Sequence, residues 1–186
     1  MIIDDIKDEW IILDSLVGII LHYRLGCVVE IGVGQGFSTR VLFKYVEYAG
    51  VKFYTCDINS EISFDYKDHF HFLGSSFDFM KQFTDIPSVV FLDGCHHDEI
   101  VFKEVEFFLA RLIPGGVIFL HDTAAAEAKN LVPKGASTSY KVRQYYETLT
   151  DEVDCFTWPY TARNHGLTMI LKKEKKQTLL EKISEV

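Results

Sequence analysis

Residues 27–36 read CVVEIGVGQG, a short apolar run that leads into three glycines spaced two residues apart. A continuous apolar run of this length is typical of a strand buried on both faces, as in parallel sheets. Residues 38–48 then return to helical spacing of their apolar side chains. The segment therefore predicts a strand, a glycine turn and a helix, which is the repeating unit of α/β proteins.

The same alternation continues on both sides of this unit. We expect helices at 5–23, 60–67, 75–83, 98–112 and 140–149, and strands at 51–56, 69–73, 88–92, 117–120, 153–158 and 166–171. Too few residues join the last two strands for a parallel crossover, so these strands should pair antiparallel. The predicted fold class is α/β: a single-domain, doubly wound, Rossmann-like sheet that is mostly parallel and has a final antiparallel strand.

The chain length of 186 residues fits one domain. We divide it into an N-terminal helix (1–26), the α/β domain (27–172) and a tail (173–186) whose apolar residues favour a helix. The segment 123–139 has no periodicity and is rich in Ala, Gly, Lys and Ser. Long loops of this kind are often functional, and we expect a lid that binds the acceptor molecule.

Composition narrows the classes of partner and compartment. The formal charge of −8, from 19 Lys and Arg against 27 Asp and Glu, repels phosphate backbones and disfavours nucleic acid. The four cysteines form no CxxC pair, which indicates a reduced, cytoplasmic setting. The N-terminus is acidic and no apolar run approaches a bilayer-spanning length, so we expect neither export nor a membrane. A small molecule and a second copy of the chain are the candidate partners.

Two predicted strand ends suggest a nucleoside site, because ligands of open α/β sheets bind at the carboxyl ends of the strands. The glycine turn follows Glu30, and Asp57 closes the next strand with a carboxylate able to accept both hydroxyl hydrogens of a ribose. The dinucleotide pattern G-x-G-x-x-G is not met, since Gly36 arrives one position early. Glu30 also favours a cationic ligand over a pyrophosphate. A tight turn that binds nothing is the alternative.

Two further strand ends carry acids and histidines. The run Asp93-Gly94-Cys95-His96-His97-Asp98 follows one strand, and His121-Asp122 follows the next. Carboxylates are hard oxygen ligands for Mg²⁺ or another divalent ion, and a histidine beside them is a base that titrates near neutrality. Taken singly, such residues are more often helix caps or satisfied polar groups, and Asp98 is a plausible N-cap.

Residues 89–122, VVFLDGCHHDEIVFKEVEFFLARLIPGGVIFLHD, resemble the class I S-adenosylmethionine (SAM)-dependent methyltransferases of the metal-linked small-molecule O-methyltransferase and cephalosporin-hydroxylase-like group. That family places D-G-x-H at one strand end and P-G-G before a strand that ends in H-D. Residues 30–36 and Asp57 are similar to its first glycine motif and its ribose-binding acid. The resemblance spans about residues 28–171 and implies transfer of a methyl group to a small-molecule acceptor, at a hydroxyl oxygen, with assistance from a metal.

The resemblance also implies roles for individual residues. Asp93 and His96 are the implied catalytic pair, with His96 as general base, and Asp93, His121 and Asp122 are the implied ligands of Mg²⁺ or another divalent cation. Where the family often has Gly-Asp-Ser, this chain has Gly74-Ser75-Ser76. The implied SAM contacts are Glu30, Gly32, Gly34, Gly36, Ser38, Asp57, Ile58, Ser75, Ser76 and Asp93.

Three other functions are alternatives to this one. A nicotinamide-dependent oxidoreductase is opposed by the glycine spacing. A non-catalytic SAM-binding module would keep the fold with an idle metal site. Methylation of nucleic acid is opposed by the acidic charge and by the lack of an evident Asn/Asp-Pro-Pro-aromatic motif.

Overall fold

The computed structural model of the chain describes residues 8–23, 25–60, 62, 65–123, 139–158 and 166–173. The predicted lid, apart from its end residues, and the predicted tail helix lie outside these residues, and both stay predictions.

The described residues alternate between helices and strands along the chain. The helices are α1 (Asp8–Tyr23), α2 (Phe37–Ala49), α3 (Ser76–Gln82), α4 (Asp98–Arg111) and α5 (Tyr140–Thr148). The strands are β1 (Cys27–Ile31), β2 (Phe53–Asp57), β3 (His69–Leu73), β4 (Pro87–Leu92), β5 (Val117–His121), β6 (Val153–Trp158) and β7 (Leu167–Lys172).

The strands form one seven-stranded sheet in the order β3-β2-β1-β4-β5-β7-β6. Strands β1 to β5 pair in parallel, whereas β7 runs antiparallel to both β5 and β6. Every residue of β1, β4 and β5 is buried, as their continuous apolar runs require. The predicted doubly wound fold with a final antiparallel strand is confirmed.

Apolar clusters cover both faces of the sheet. On one face α1 buries Leu13, Val17 and Leu21 in a cluster shared with α2 and the central strands. On the other face α3, α4 and α5 pack over a second cluster that includes Phe79, Phe108 and other large side chains. Among the described helices, none has the length and apolarity needed to cross a bilayer.

The helix expected at 60–67 is wrong where the structure describes that segment. Residues 60, 62 and 65–68 are not helical, and residues 61, 63 and 64 lie outside the described part. The backbone N–H of Ser60 donates to the Asp57 carboxylate, and the Tyr66 hydroxyl donates to the Val51 carbonyl. At the described residues of this crossover, these side-chain contacts stand in place of the i to i+4 bonds of a helix.

The N-cap of α4 also differs from the expectation. His97, not Asp98, occupies the cap position, and it makes no side-chain capping hydrogen bond. Asp98 is the first helical residue, where its charge favours the helix N-terminus and pairs with Lys141 at 2.9 Å.

Gly32, at the end of β1, is in direct contact with the neighbouring strand end. Its φ of 89° lies in the left-handed region, and a Cβ at this position would clash with the Asp93 carbonyl. The Asp93 N–H donates to the Ile31 carbonyl at 2.8 Å, so the two loops are fastened where they touch. Only glycine allows the β1 and β4 loops to approach this closely.

Gly32→Ala should therefore cost more stability than the backbone conformation alone explains. Gly50→Ala is the matched control, because Gly50 has a φ of 66° but no atom within 4 Å of an added Cβ. We expect about 1 kcal/mol of destabilisation for Gly50→Ala and about 3 kcal/mol or more for Gly32→Ala, measured by urea unfolding. Equal losses for the two variants would contradict the close contact.

Candidate functional site

Four strand ends meet at one edge of the sheet. Because β2, β1, β4 and β5 are adjacent and parallel, their carboxyl ends place Asp57, the glycine loop, Asp93 and His121 side by side. The Gly32 N–H donates to the Cys56 carbonyl at 2.8 Å, which joins the β1 loop to β2 as well as to β4. The edge thus divides into a glycine-loop side and an acid-histidine side.

Asp57 holds two loops together. Its Oδ2 accepts from the N–H groups of Val33 and Gly34 at 2.8 and 3.0 Å, and its Oδ1 accepts from those of Asn59 and Ser60, both at 2.8 Å. Burial alone would raise the pKa of Asp57, but these donors outweigh it and hold the pKa below its ordinary value. A bound ribose would share or displace these hydrogen bonds. The sequence alone did not reveal that the Asp57 carboxylate accepts from four backbone N–H groups.

Glu30 is buried beneath the glycine loop. It is 0% exposed, its Oε1 accepts from the Ser38 hydroxyl at 2.5 Å, and its Oε2 has no hydrogen-bond partner within the described part of the chain. Burial raises its pKa to about 8, although the hydrogen bond from Ser38 opposes the shift. Glu30 is therefore mostly a neutral acid at pH 7, and it offers a negative charge only once that proton is lost.

Further predicted cofactor contacts lie on the glycine loop and after the ends of β2 and β3. Gly34 has a φ of 51°, and an added Cβ there would meet no atom within 4 Å, so the loop borders open space. Ile58 is 67% exposed beside Asp57, which leaves an apolar face available to a planar ligand. The Ser75 side chain caps α3 by accepting from the Asp78 N–H at 3.2 Å, so part of its hydrogen-bonding capacity is used.

The acid-histidine side assembles Asp93, His96 and Asp122. His96 Nε2 lies 3.5 Å from Asp93 Oδ1 and 3.2 Å from Asp122 Oδ2. One ligand atom from each residue falls within 4.8 Å of the others. Two carboxylates and an imidazole suit a divalent cation such as Mg²⁺ or Mn²⁺, so the donor set fits the predicted metal.

His121 lies behind this group and is not the third member of it. Its Nδ1 is 3.0 Å from Asp93 Oδ1 and 3.4 Å from Asp122 Oδ1, and its ring stacks on Trp10 of α1 with centroids 5.3 Å apart. The group that could hold a cation thus includes His96 where the sequence prediction had His121. Sequence reasoning also missed Trp10, because an aromatic residue at helical spacing carries no signal beyond core packing.

The pKa values of Asp93 and His96 are shifted because these side chains lie close together. Burial would raise the pKa of Asp93, but His121 and His96 outweigh it and lower the pKa to about 2. The hydrogen bond with Asp93 raises the pKa of His96 above its ordinary value, despite burial. Asp93 is therefore ionised at neutral pH, and the imidazole of His96 is a stronger base than a free histidine.

Comparisons with known proteins agree with this architecture. The family profile described as a methyltransferase domain matches residues 29–123. No curated protein sequence matches the chain.

Solved structures of low sequence identity share the fold. The O-methyltransferase TomG from Streptomyces achromogenes in complex with SAM is 16% identical, with a TM-score of 0.66 and coverage of 89% of this chain and 80% of that one. An O-methyltransferase from Bacillus cereus in complex with SAH is 18% identical, with a TM-score of 0.61 and coverage of 91% and 83%. The MycE methyltransferase in complex with Mg, SAH and mycinamycin VI is 16% identical, with a TM-score of 0.62, and this chain covers 49% of it.

The buried carboxyl of Glu30 makes stability depend on pH in a predictable direction. Its pKa is about 8 in the folded chain against 4.5 ordinarily, so its contribution is fully present below pH 4.5 and is lost as pH rises towards 8. Glu30→Gln removes this dependence. The variant should gain about 3 kcal/mol relative to the natural chain between pH 5.5 and 7.5, measured by urea unfolding. Parallel stability curves for the two proteins would contradict the buried, protonated state.

Proposed function

The chain belongs to the methyltransferase domain family, and from that membership we propose that it transfers a methyl group from SAM to a hydroxyl oxygen of a small molecule. The observation that carries this proposal is the contact between Gly32 and Asp93. This contact supports the proposal because it holds the glycine loop, the proposed donor site, against Asp93, which lies 3.5 Å from His96, the proposed base.

The residues on the glycine-loop side fit a cationic nucleoside. When bound, SAM supplies a methyl carbon attached to a positively charged sulfur, and that sulfur is the leaving group when a nucleophilic oxygen attacks the carbon in line. Gly34 borders the open space, Asp57 supports the loop and presents its carboxylate, and Ile58 offers an apolar face. A cation near Glu30 favours the ionised form of this carboxyl group, so binding of a cationic ligand promotes loss of the Glu30 proton.

The residues on the acid-histidine side fit the acceptor. Transfer to a hydroxyl oxygen requires removal of its proton, and His96 sits between two carboxylates that stabilise the resulting imidazolium. Asp93 and Asp122 would hold a divalent cation, which lowers the pKa of a bound hydroxyl. Because His96 faces both carboxylates through Nε2, that nitrogen serves either as base or as cation ligand. Holding the two reactants at this junction supplies the remaining rate enhancement.

The solved complexes support the choice of cofactor and metal only by analogy of fold. TomG is in complex with SAM and MycE with Mg and SAH. The net charge of −8 further supports a small-molecule acceptor over nucleic acid.

Calorimetric titration separates the proposal from its alternatives. S-adenosylhomocysteine (SAH) and NAD are each titrated into the chain with and without Mg²⁺. The proposal expects SAH to bind and NAD not to bind. Binding of NAD alone would favour an oxidoreductase, whereas SAH binding without methylation across a panel of hydroxylated acceptors would favour a non-catalytic module.

His96→Ala should reduce turnover by about 10²- to 10⁴-fold and leave SAH affinity unchanged, because the base lies on the acceptor side. His97→Ala is the matched control, because the His97 imidazole is next to His96 in the sequence, is exposed, and makes no side-chain capping hydrogen bond. Turnover is followed by SAH production. Full activity of His96→Ala, or equal losses in both variants, would remove His96 from the base role.

Asp57→Asn should weaken SAH binding by about tenfold or more, because an amide nitrogen would face backbone N–H donors and the ribose would lose a charged acceptor. Asp85→Asn is the control: Asp85 also accepts two side-chain hydrogen bonds, from Lys52 and Tyr54, but lies outside the site. Calorimetry measures both affinities. Unchanged SAH affinity in Asp57→Asn would contradict its place in the donor site.

A further inference from the structure

Asp122 has an unusual backbone conformation. Its φ is 54°, the only left-handed value at a non-glycine position among the described residues. Successive side chains of a strand point to opposite faces, yet His121 Nδ1 and Asp122 Oδ1 lie only 3.4 Å apart. The left-handed turn at Asp122 therefore swings its carboxylate to the side of His121, where it also reaches His96.

The peptide that follows Asp122 is held at both of its polar groups. The Asp122 carbonyl accepts from the Ser139 N–H at 2.9 Å, and the Thr123 N–H donates to the Gly166 carbonyl at 3.0 Å. A strained conformation persists only where its surroundings over-determine it. Ser139 at the start of α5 and Gly166 before β7 provide part of that determination.

Arg143 extends this clamp from α5. Its Nη1 donates to the Thr123 carbonyl at 2.9 Å, and its Nε lies 3.4 Å from Glu147 Oε1. The guanidinium also lies 4.6 Å from the centre of the Tyr140 ring, and the side chain is 14% exposed. The guanidinium thus contacts the Thr123 carbonyl in the turn, Glu147 of its own helix and the Tyr140 ring.

We propose that Arg143 is a positioning residue that fastens α5 to the turn at Asp122 and Thr123, keeps Asp122 left-handed, and so directs its carboxylate at His96. This inference deepens the proposed function and rests on it for its chemical meaning, because Asp122 matters there as a partner of His96 and of a divalent cation. Neither the sequence pattern nor the resemblance assigns Arg143 a role.

A comparison of glycine and alanine at position 122 tests the backbone claim without any ligand. In the natural background Asp122→Gly should melt at a higher temperature than Asp122→Ala, since glycine adopts a left-handed φ without a Cβ penalty. In an Arg143→Met background the turn should no longer be held left-handed, and the order of the two melting temperatures should reverse. Alanine then has no Cβ penalty, whereas glycine still loses more backbone entropy on folding. The same order in both backgrounds would overturn the proposal.

If Arg143→Met does not fold, Arg143→Lys serves as the background. Lysine keeps the charge and one donor but loses the planar fork, so the advantage of glycine should shrink. An undiminished advantage in that background would also overturn the proposal.

Binding of Mn²⁺, measured by calorimetry, tests the consequence at the acid-histidine group. Arg143→Met should weaken Mn²⁺ binding by about tenfold or more, as loss of a supporting contact does at metal sites, while SAH affinity stays unchanged. Arg111→Met is the matched control: Arg111 donates to the Phe107 carbonyl at 3.3 Å and lies 3.6 Å over the Phe107 ring, outside the site.

The outcomes separate this proposal from the proposed function. Equal weakening of Mn²⁺ binding in both arginine variants, or parallel loss of Mn²⁺ and SAH binding in Arg143→Met, would overturn the positioning role. If the natural chain binds no Mn²⁺, the metal part of the proposed function fails, and the order of Asp122→Gly and Asp122→Ala alone decides the role of Arg143.

Discussion

The contact between Gly32 and the Asp93 carbonyl is the constraint on which the site depends. It exists because β1 and β4 are neighbours in a parallel sheet and because residue 32 lacks a Cβ. The hydrogen bond from the Asp93 N–H to the Ile31 carbonyl fixes the same junction. As a result the glycine loop is held next to the acid-histidine group at the end of the sheet.

Buried polar groups extend this constraint outward. Asp57 ties the glycine loop to the β2 loop through four backbone N–H donors, so the loop is shaped before any ligand binds. Burial raises the pKa of Glu30 beneath the same loop, so a positive charge bound nearby would favour its ionised form. On the other half, His121 and its stacked Trp10 support Asp93 from behind. Preorganisation of this kind is what an in-line transfer between two bound reactants requires.

Sequence reasoning recovered what periodicity and strand ends determine. The buried runs of β1, β4 and β5 and the short β6–β7 connection fixed the sheet, and the strand-end acids Asp57, Asp93 and Asp122 fell at one edge as expected. It failed where side-chain contacts, not the local sequence pattern, decide the conformation, as at residues 60 and 65–68 of the crossover, where Asp57 and Tyr66 make hydrogen bonds. It also could not predict that burial raises the pKa of Glu30, or that Arg143 contacts the turn at Asp122, because both depend on burial and on contacts between distant residues.

A crystal structure of the chain soaked with SAH and Mn²⁺, with anomalous scattering to locate the metal, tests the central claim most directly. The account predicts the nucleoside between the glycine loop and Asp57, and an anomalous peak bounded by Asp93 and Asp122, both at one edge of the sheet. A bound nucleoside without a neighbouring metal peak would support the donor site and contradict the metal site. An empty glycine loop, or either ligand bound at another face, would contradict it.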